Sequence, residues 1–354
     1  MIAERSAFNS APLVSVVVLN YNGARWLEKC LSSLQRQTIL DQLEIIVADN
    51  LSTDGSDALA EKLLSPFPRG KFIQHGQNLG YCAGNNRAAE AATGRYLFFL
   101  NNDAWLEPDC LEKLLAEVER EGAAVAEPLI MNYDDDSFQS IGAFGFDIFG
   151  LTSTRASSAT TREVLMPEGC AYLIERELFN QIGGFDPEFF MFADEYDLSW
   201  RVWISGNRAI AVPAARLHHR GAAQVNPAGG GTQVEFRTSD TKRFYANRNN
   251  LLVLLKNARC LLLALVPLQL ALLGLEALAA LVLIRRWSFV KKAYWDAVAG
   301  CWRLRGHIRA ERCRVRAFRK RGDAWMLRFL RLRLNRWDEL QRMRVAGVPK
   351  VTAR

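Results

Sequence analysis

The stretch LFFLNNDAW, residues 97–105, runs from an apolar, aromatic segment straight into Asn101, Asn102 and Asp103 and then turns apolar again at Trp105. A carboxylate at the exit of a buried strand suits the binding of a divalent cation against phosphate oxygens, a task that needs only one or two protein carboxylates. Two other strand ends carry similar groups: Asn20-Tyr21-Asn22 and Asp49-Asn50. Asn and Asp also begin turns, but three strands delivering such groups together point to a ligand edge. A second acidic group lies in FFMFADEYDLSWR, where Asp194, Glu195 and Asp197 crowd beside Phe189, Phe190, Met191 and Phe192. Mutual repulsion and apolar neighbours raise carboxylate pKa values, as a general base near neutral pH requires. Acids also gather at helix N-termini for dipole reasons, and Asp197 is expected to pair with Arg201 at i+4. Of the four histidines, His218 and His219 are adjacent and follow the strand-like AIAVP, while His75 and His307 carry no signal.

Those groups need elements to position them. LVSVVVL (13–19) and EIIVADN (44–50) are short β-branched runs of the kind that forms buried parallel strands. Apolar spacing predicts helices over 24–37, 57–64 and 84–92, with further strands at 71–74 and 95–100. This alternation predicts a doubly wound α/β sheet, in which ligands sit outside the carboxyl ends of the strands. The turn LNYNGARW lacks both GxGxxG and GxxxxGK[ST], so no glycine cradle is expected to hold phosphates, and charge neutralisation falls to the cation.

With 354 residues, 49% of them hydrophobic, the chain can bury a full core. Its seven cysteines form no CxxC pair, which argues against a disulfide framework or structural zinc and for a reducing cytosol. MIAERSAFNSAP shows no secretory signal pattern. The net charge of +7 conceals a split: residues 285–354 hold 21 Lys and Arg against 5 Asp and Glu, a surplus of 16, which leaves the rest at −9. A tail this basic suits an anionic surface, or else forms a solvated helical face.

The segments VSVVVLNYNG, VADNLSTDGS, QNLGYCAGNNRAAEAATGRYLFFLNND and EGCAYLIERELFNQIGGFDPEFFMFADEYDLSWR resemble, in order, motifs of the family-2 inverting glycosyltransferases, especially bacterial rhamnosyltransferase-like members. The resemblance covers about residues 12–260. It implies a GT-A fold, a doubly wound mixed sheet, and transfer of a sugar from a nucleoside-diphosphate donor. Thymidine or uridine donors are favoured through Asp49, and rhamnose by likeness alone. It further implies that Asn20, Tyr21 and Asp49 hold the nucleotide, and that Asn78, Gly80, Asn85 and Asn102 line the diphosphate and sugar. Arg248 would reach a phosphate, and Gly169 and Cys170 would meet the acceptor. The metal motif reads Asn101-Asn102-Asp103, so Asp103 is the charged ligand for Mg²⁺ or Mn²⁺, with Asn101 beside it and His219 in the pattern A-R-x-x-H-x-G. Glu195 takes the place of the base, with Asp194 in reserve.

After a catalytic domain at 1–250, residues 251–354 are expected to form a helical, membrane-associating appendage. CLLLALVPLQLALLGLEALAALVLI (260–284) carries one charge, Glu276, and is long enough to span a bilayer. A single span would carry the basic tail away from the cytosol, against the positive-inside rule. A hairpin bent at Pro267 or Gly274 keeps both ends inside, and a buried helix pair is the alternative. WMLRFLRLRLNRW is expected to lie in the headgroup plane, although LRLRL also permits a strand. The combined expectation is a transferase on the cytoplasmic face of the inner membrane, acting on a lipid-linked or cell-envelope glycan. A sugar-nucleotide nucleotidyltransferase would want a basic glycine-rich first loop, and a nucleic-acid-binding protein would want a recognisable module. No nucleic-acid partner is therefore expected.

Overall fold

A computed structural model describes residues 11–153, 158–221 and 237–352. Residues 1–10, which hold most of the segment without a signal pattern, lie outside the described residues. Four parallel strands form the first half of a ten-stranded sheet: β1 (Val14–Asn20), β2 (Leu43–Asp49), β3 (Gly70–Gln74) and β4 (Tyr96–Asn101), ordered β4-β1-β2-β3. Between them run α1 (Leu27–Gln35), α2 (Ser56–Leu64) and α3 (Gly80–Ala89). Because side chains alternate along a strand, Val14, Val16 and Val18 face one apolar layer with α1, while Val17 faces the other.

The sheet turns mixed after β5 (Ala104–Leu106) and α4 (Cys110–Glu121). β6 (Val125–Asn132) and β7 (Ala171–Glu175) follow, and β7 runs antiparallel between β4 and β6. Beyond α5 (Arg176–Ile182) and α6 (Asp194–Ile204), β8 (Ala209–His219) pairs parallel with β6 and antiparallel with β5.

The expected division at residue 250 falls inside a helix, α7 (Asp240–Asn257). Its Leu251, Leu252, Val253 and Leu254 are buried in the same apolar cluster as Trp200 and Trp203 of α6, so the C-terminal region shares the core of the sheet domain. α8 (Leu265–Leu283) is unbroken, which corrects the expected hairpin. Pro267 sits in its first turn, where a missing N–H costs nothing, and Gly274 continues the helix.

The tail continues through α9 (Trp287–Val290), a π-turn (Lys291–Trp295), α10 (Asp296–Arg303), α11 (Arg305–Phe318), α12 (Asp323–Met326) and α13 (Asn335–Ala346). Trp325 and Phe329 pack on Trp203, with ring centroids 5.5 and 4.8 Å away, so this part of the tail is core and not a headgroup-plane segment. LRLRL (330–334) forms no strand, only a single bridge from Leu330 to Phe146. Much of the basic surplus works inside the fold. Arg312 donates to the carbonyls of Leu255 and Ala258 at the end of α7. Arg321 donates to those of Trp203, Gly206 and Asn207 at the end of α6, satisfying helix C-termini that favour cations.

One buried ion cluster ties these helices together. Lys256 of α7 reaches Asp186 and, at 3.0 Å, Asp197 of α6. Arg201 bonds Asp197 from one turn on, at 2.7 Å, and the carbonyl of Ile182, so the pairing expected from the sequence is present. Asn257 donates to Asp197, and His307 of α11 meets Asp186 at 2.8 Å. Replacing Lys256 by Met would leave two buried carboxylates short of a cation. The expected loss is about 3–5 kcal/mol, measured from urea midpoints; a loss under about 1 kcal/mol would show that the cluster is dispensable.

Candidate active site

Parallel register makes the strands end level: Asn20 lies opposite Asp49, Asp49 opposite Gln74, and Leu19 opposite Asn101. A chain of amides then joins them. Asn102 donates to Asn20 at 2.8 Å, and Asn20 donates to Asp49 and to Ser56, each at 2.8 Å. The Asp49 carboxylate also accepts from the Ser52 hydroxyl at 2.5 Å, the Ser52 N–H at 2.8 Å and Gln74 at 3.1 Å. Burial by itself would raise its pKa; these bonds outweigh burial and hold it below the ordinary carboxylate range. Asn20 and Asp49 are thus a buried floor, and Tyr21, about half exposed, stands over it. A nucleobase N–H reaches Asp49 only if one donor, Gln74 being the longest, gives way.

Antiparallel pairing of β8 with β5 sets His219 opposite Ala104 and so brings its ring to Asp103. Nε2 lies 3.3 Å from the Asp103 Oδ1 and 3.4 Å from the Asn101 amide. Nδ1 lies 2.9 Å from the Gln139 Oε1, which fixes the ring with Nδ1–H toward Gln139 and Nε2 toward Asp103. Burial pushes Asp103 up, but the hydrogen bond and charge of His219 prevail and lower its pKa. The neighbouring His218 does something else: it stacks flat on Trp105, 3.7 Å between centroids.

The third group hangs on a strained loop. Phe190, Phe192 and Ala193, immediately before α6, all have positive φ (60, 68 and 57°), a costly region for residues with side chains. Asn249 of α7 holds the loop by donating to the carbonyls of Phe189, Met191 and Phe192 at 2.8–2.9 Å. Arg248 donates to the Glu188 and Phe189 carbonyls and leans on Phe244 and Tyr245. Its Nε, toward Asn249, and one terminal nitrogen, toward the loop, are thus engaged within the protein. The Phe190 carbonyl in turn accepts from the N–H groups of Tyr81 and Cys82, capping α3. Asn78 accepts from the Gly80 N–H at 2.9 Å. Asn85 is buried and bonds within α3 to the Tyr81 carbonyl, which removes it from any ligand-facing surface.

α6 opens with Asp194 and Glu195, joined by a side-chain hydrogen bond. Burial, then repulsion by Asp194, raises Glu195 well above the carboxylate range, and burial pushes Asp194 up to about 6. Two carboxyls so placed share a proton. A methyl group on Gly169 would sit 3.7 Å from the Glu195 carboxyl and 3.8 Å from the Tyr81 hydroxyl, which donates to the Gly169 carbonyl at 2.6 Å. The carbonyl of Cys170, the next residue, accepts from the Asn101 N–H at 3.0 Å. The Gly169-Cys170 strip therefore lies between a proton-sharing carboxyl pair on one side and the Asp103–His219 pair on the other.

The family model for Glycosyl transferase family 2 matches residues 15–183, which include the strand edge and the Gly169-Cys170 strip. The chain carries a family 2 glycosyltransferase domain. It is 39% identical over 104 residues to the putative glycosyltransferase EpsH of Bacillus subtilis, covering 29% of this chain and 30% of that one. The chain thus spans under a third of the length of that relative. It is 28% identical over 238 residues to the N-acetylglucosaminyl-diphospho-decaprenol L-rhamnosyltransferase of Mycobacterium tuberculosis, covering 59% of this chain and 76% of that one. Among solved structures, GalNAc-T7 with UDP, GalNAc and Mn²⁺ superposes with a TM-score of 0.55 at 20% identity, over 70% of this chain and 48% of that one. The fold is GT-A.

Several residues of the glycosyltransferase domain's site escape a reading by motif. Ser52, Ser56 and Gln74 complete the floor; Gln139 orients His219; Tyr81 touches the Gly169 strip; Glu168 adjoins it. Only the serines had a local signal, in LSTDGS after the second strand. Gly80 has φ +76°, and a methyl group there would lie 2.4 Å from the Phe190 ring. Gly80→Ala should therefore cost about 1–3 kcal/mol and loosen the loop that carries Glu195. Matched urea melts and transfer rates check this, and a variant unchanged in both would refute the contact.

Proposed function

We propose that the chain is an inverting glycosyltransferase that moves a sugar from a nucleoside-diphosphate donor to an acceptor hydroxyl. The observation that supports it is the placing of two chemically different pairs on either side of Gly169-Cys170. On one side Glu195, with Asp194 as partner, takes the proton from the acceptor hydroxyl. The freed oxygen attacks the anomeric carbon from the face opposite the diphosphate. The bond from that carbon to the diphosphate oxygen breaks, its electron pair leaves with the nucleoside diphosphate, and configuration inverts.

On the other side the donor set suits a divalent cation: the Asp103 carboxylate, an imidazole nitrogen 3.3 Å from it, and the Asn101 amide. Among the described residues no group of three His, Cys, Asp or Glu assembles. A cation there would neutralise charge on the departing diphosphate. Mn²⁺ in the GalNAc-T7 structure supports the reading. The strand edge ending in Tyr21 and Asp49 favours uridine or thymidine, and the mycobacterial relative supports a dTDP-rhamnose donor and a lipid-linked or cell-envelope acceptor. The reading includes a place at the cytoplasmic face of the membrane, where a cytosolic sugar nucleotide would be met.

Donor hydrolysis over a panel of UDP-, dTDP- and GDP-sugars tests the donor class. Glu195→Gln should leave donor affinity near wild type and lower kcat by roughly 10²–10⁴. The raised carboxyl pair also sets a sign: below its pKa the base holds its proton, so wild-type kcat/KM should climb as pH rises through a range above that of an ordinary carboxylate, and the variant should lose that limb. If Asp194→Asn alone behaves this way, the base is Asp194; if neither does, the base lies elsewhere. Asp103→Ala should weaken UDP binding in Mn²⁺ while leaving the weaker metal-free binding unchanged, read by calorimetry. Equal loss in both conditions would remove Asp103 from the cation.

A further inference from the structure

The helical stretch Leu262–Leu283 is apolar and long enough to cross a membrane, and its few buried positions lie along one side. Gln269, Leu273 and Ala280 are buried against the protein. Glu276, the one charge, is paired with Arg336 of α13. A span would strip these partners away and set Glu276 in hydrocarbon, where an ionised carboxylate is costly. The opposite side presents Leu275, Leu278 and Val282, each 64–67% exposed.

The helices that follow add a second stripe. Trp287, Trp295 and Trp302 are 64, 73 and 72% exposed, unusual values for the largest apolar side chain. At about 100° per residue, seven residues from Trp295 to Trp302 return to within about 20° of the same direction. Eight residues from Trp287 to Trp295 would overshoot by about 80° in a plain α-helix. The π-turn at Lys291–Trp295 absorbs the extra residue and brings Trp287 into line. α7 lies beneath α8, the π-turn and α10 alike, so the leucine face and the tryptophan stripe belong to one outer layer.

Its rim is cationic. Arg285, Arg286 and Arg305 are exposed and hydrogen-bonded to the main-chain carbonyls of Val282, Val351 and Trp302 rather than to carboxylates. Tryptophan rings at the headgroup level, leucines below them and arginines around them match an anionic lipid surface in polarity and charge. We propose that this layer docks in the plane of an anionic bilayer, with α8 half sunk in one leaflet and neither end crossing. The docking stands on residues separate from the transfer site, so it can fail without the transferase reading failing.

The test is flotation of the full-length protein with phosphatidylcholine vesicles containing or lacking phosphatidylglycerol. Wild type should float with the anionic vesicles, and its tryptophan fluorescence should be quenched by lipids labelled near the headgroup. The triple variant Trp287→Ala, Trp295→Ala, Trp302→Ala should lose roughly tenfold or more in partitioning. Its donor hydrolysis and melting temperature should stay unchanged, since all three side chains face outward. Failure of wild type to float, or equal flotation of the variant, overturns the proposal. So does a discrete wild-type dimer in lipid-free buffer that the same variant dissolves, because the layer would then face a second copy.

Discussion

Lys256 and its two carboxylates are the constraint on which the catalytic end depends. The ammonium of α7 is buried between Asp186, which precedes the strained loop, and Asp197, on the first turn of α6. Arg201 and Asn257 fill the remaining acceptor positions of Asp197. A buried ion cluster of this kind adds little net stability over a well-packed apolar one. What it does here is fix one arrangement, because any slip of α6 along α7 would strand a charge in the core. Asp194 and Glu195 start the same helix, so their position over Gly169 is set by the same lock.

The loop between these charges stores strain on behalf of the site. Three residues of the loop at positive φ, Phe190, Phe192 and Ala193, would relax if free, and the carbonyls the loop exposes would be unpaired. Asn249 and Arg248 on one side and the N–H groups of Tyr81 and Cys82 on the other supply the missing partners. α3, the loop and α6 are therefore joined by one set of hydrogen bonds.

The C-terminal region plays two parts that its composition does not separate. Arginines of α11 and the following turn are spent on main-chain carbonyls at the ends of α6 and α7, and Trp325 with Phe329 closes the core over Trp203. Only what remains on the outside, the α8 face and the tryptophan stripe with its arginine rim, is left for a partner.

The alternation of apolar runs, and the polar groups at their ends, are legible in the sequence because strand period and turn chemistry are local properties. Hence the α/β sheet, the edge with Asn20, Asp49 and Asp103, and the pairing of Asp197 with Arg201 could be read from spacing. Other facts depend on contacts distant in the chain. That Arg248 braces the loop follows from where α7 packs, about 60 residues away in sequence. That Asp49 is roofed by Ser52 and Gln74, and that Gln139 steers His219, follows from strand register. The 260–284 segment shows the limit most clearly. Its hydropathy fits a span, a hairpin or a docked helix equally, since transfer free energy counts apolar area without knowing which side is covered. Only the tertiary structure showed an unbroken helix, packed along one side on α7, with Glu276 paired to Arg336.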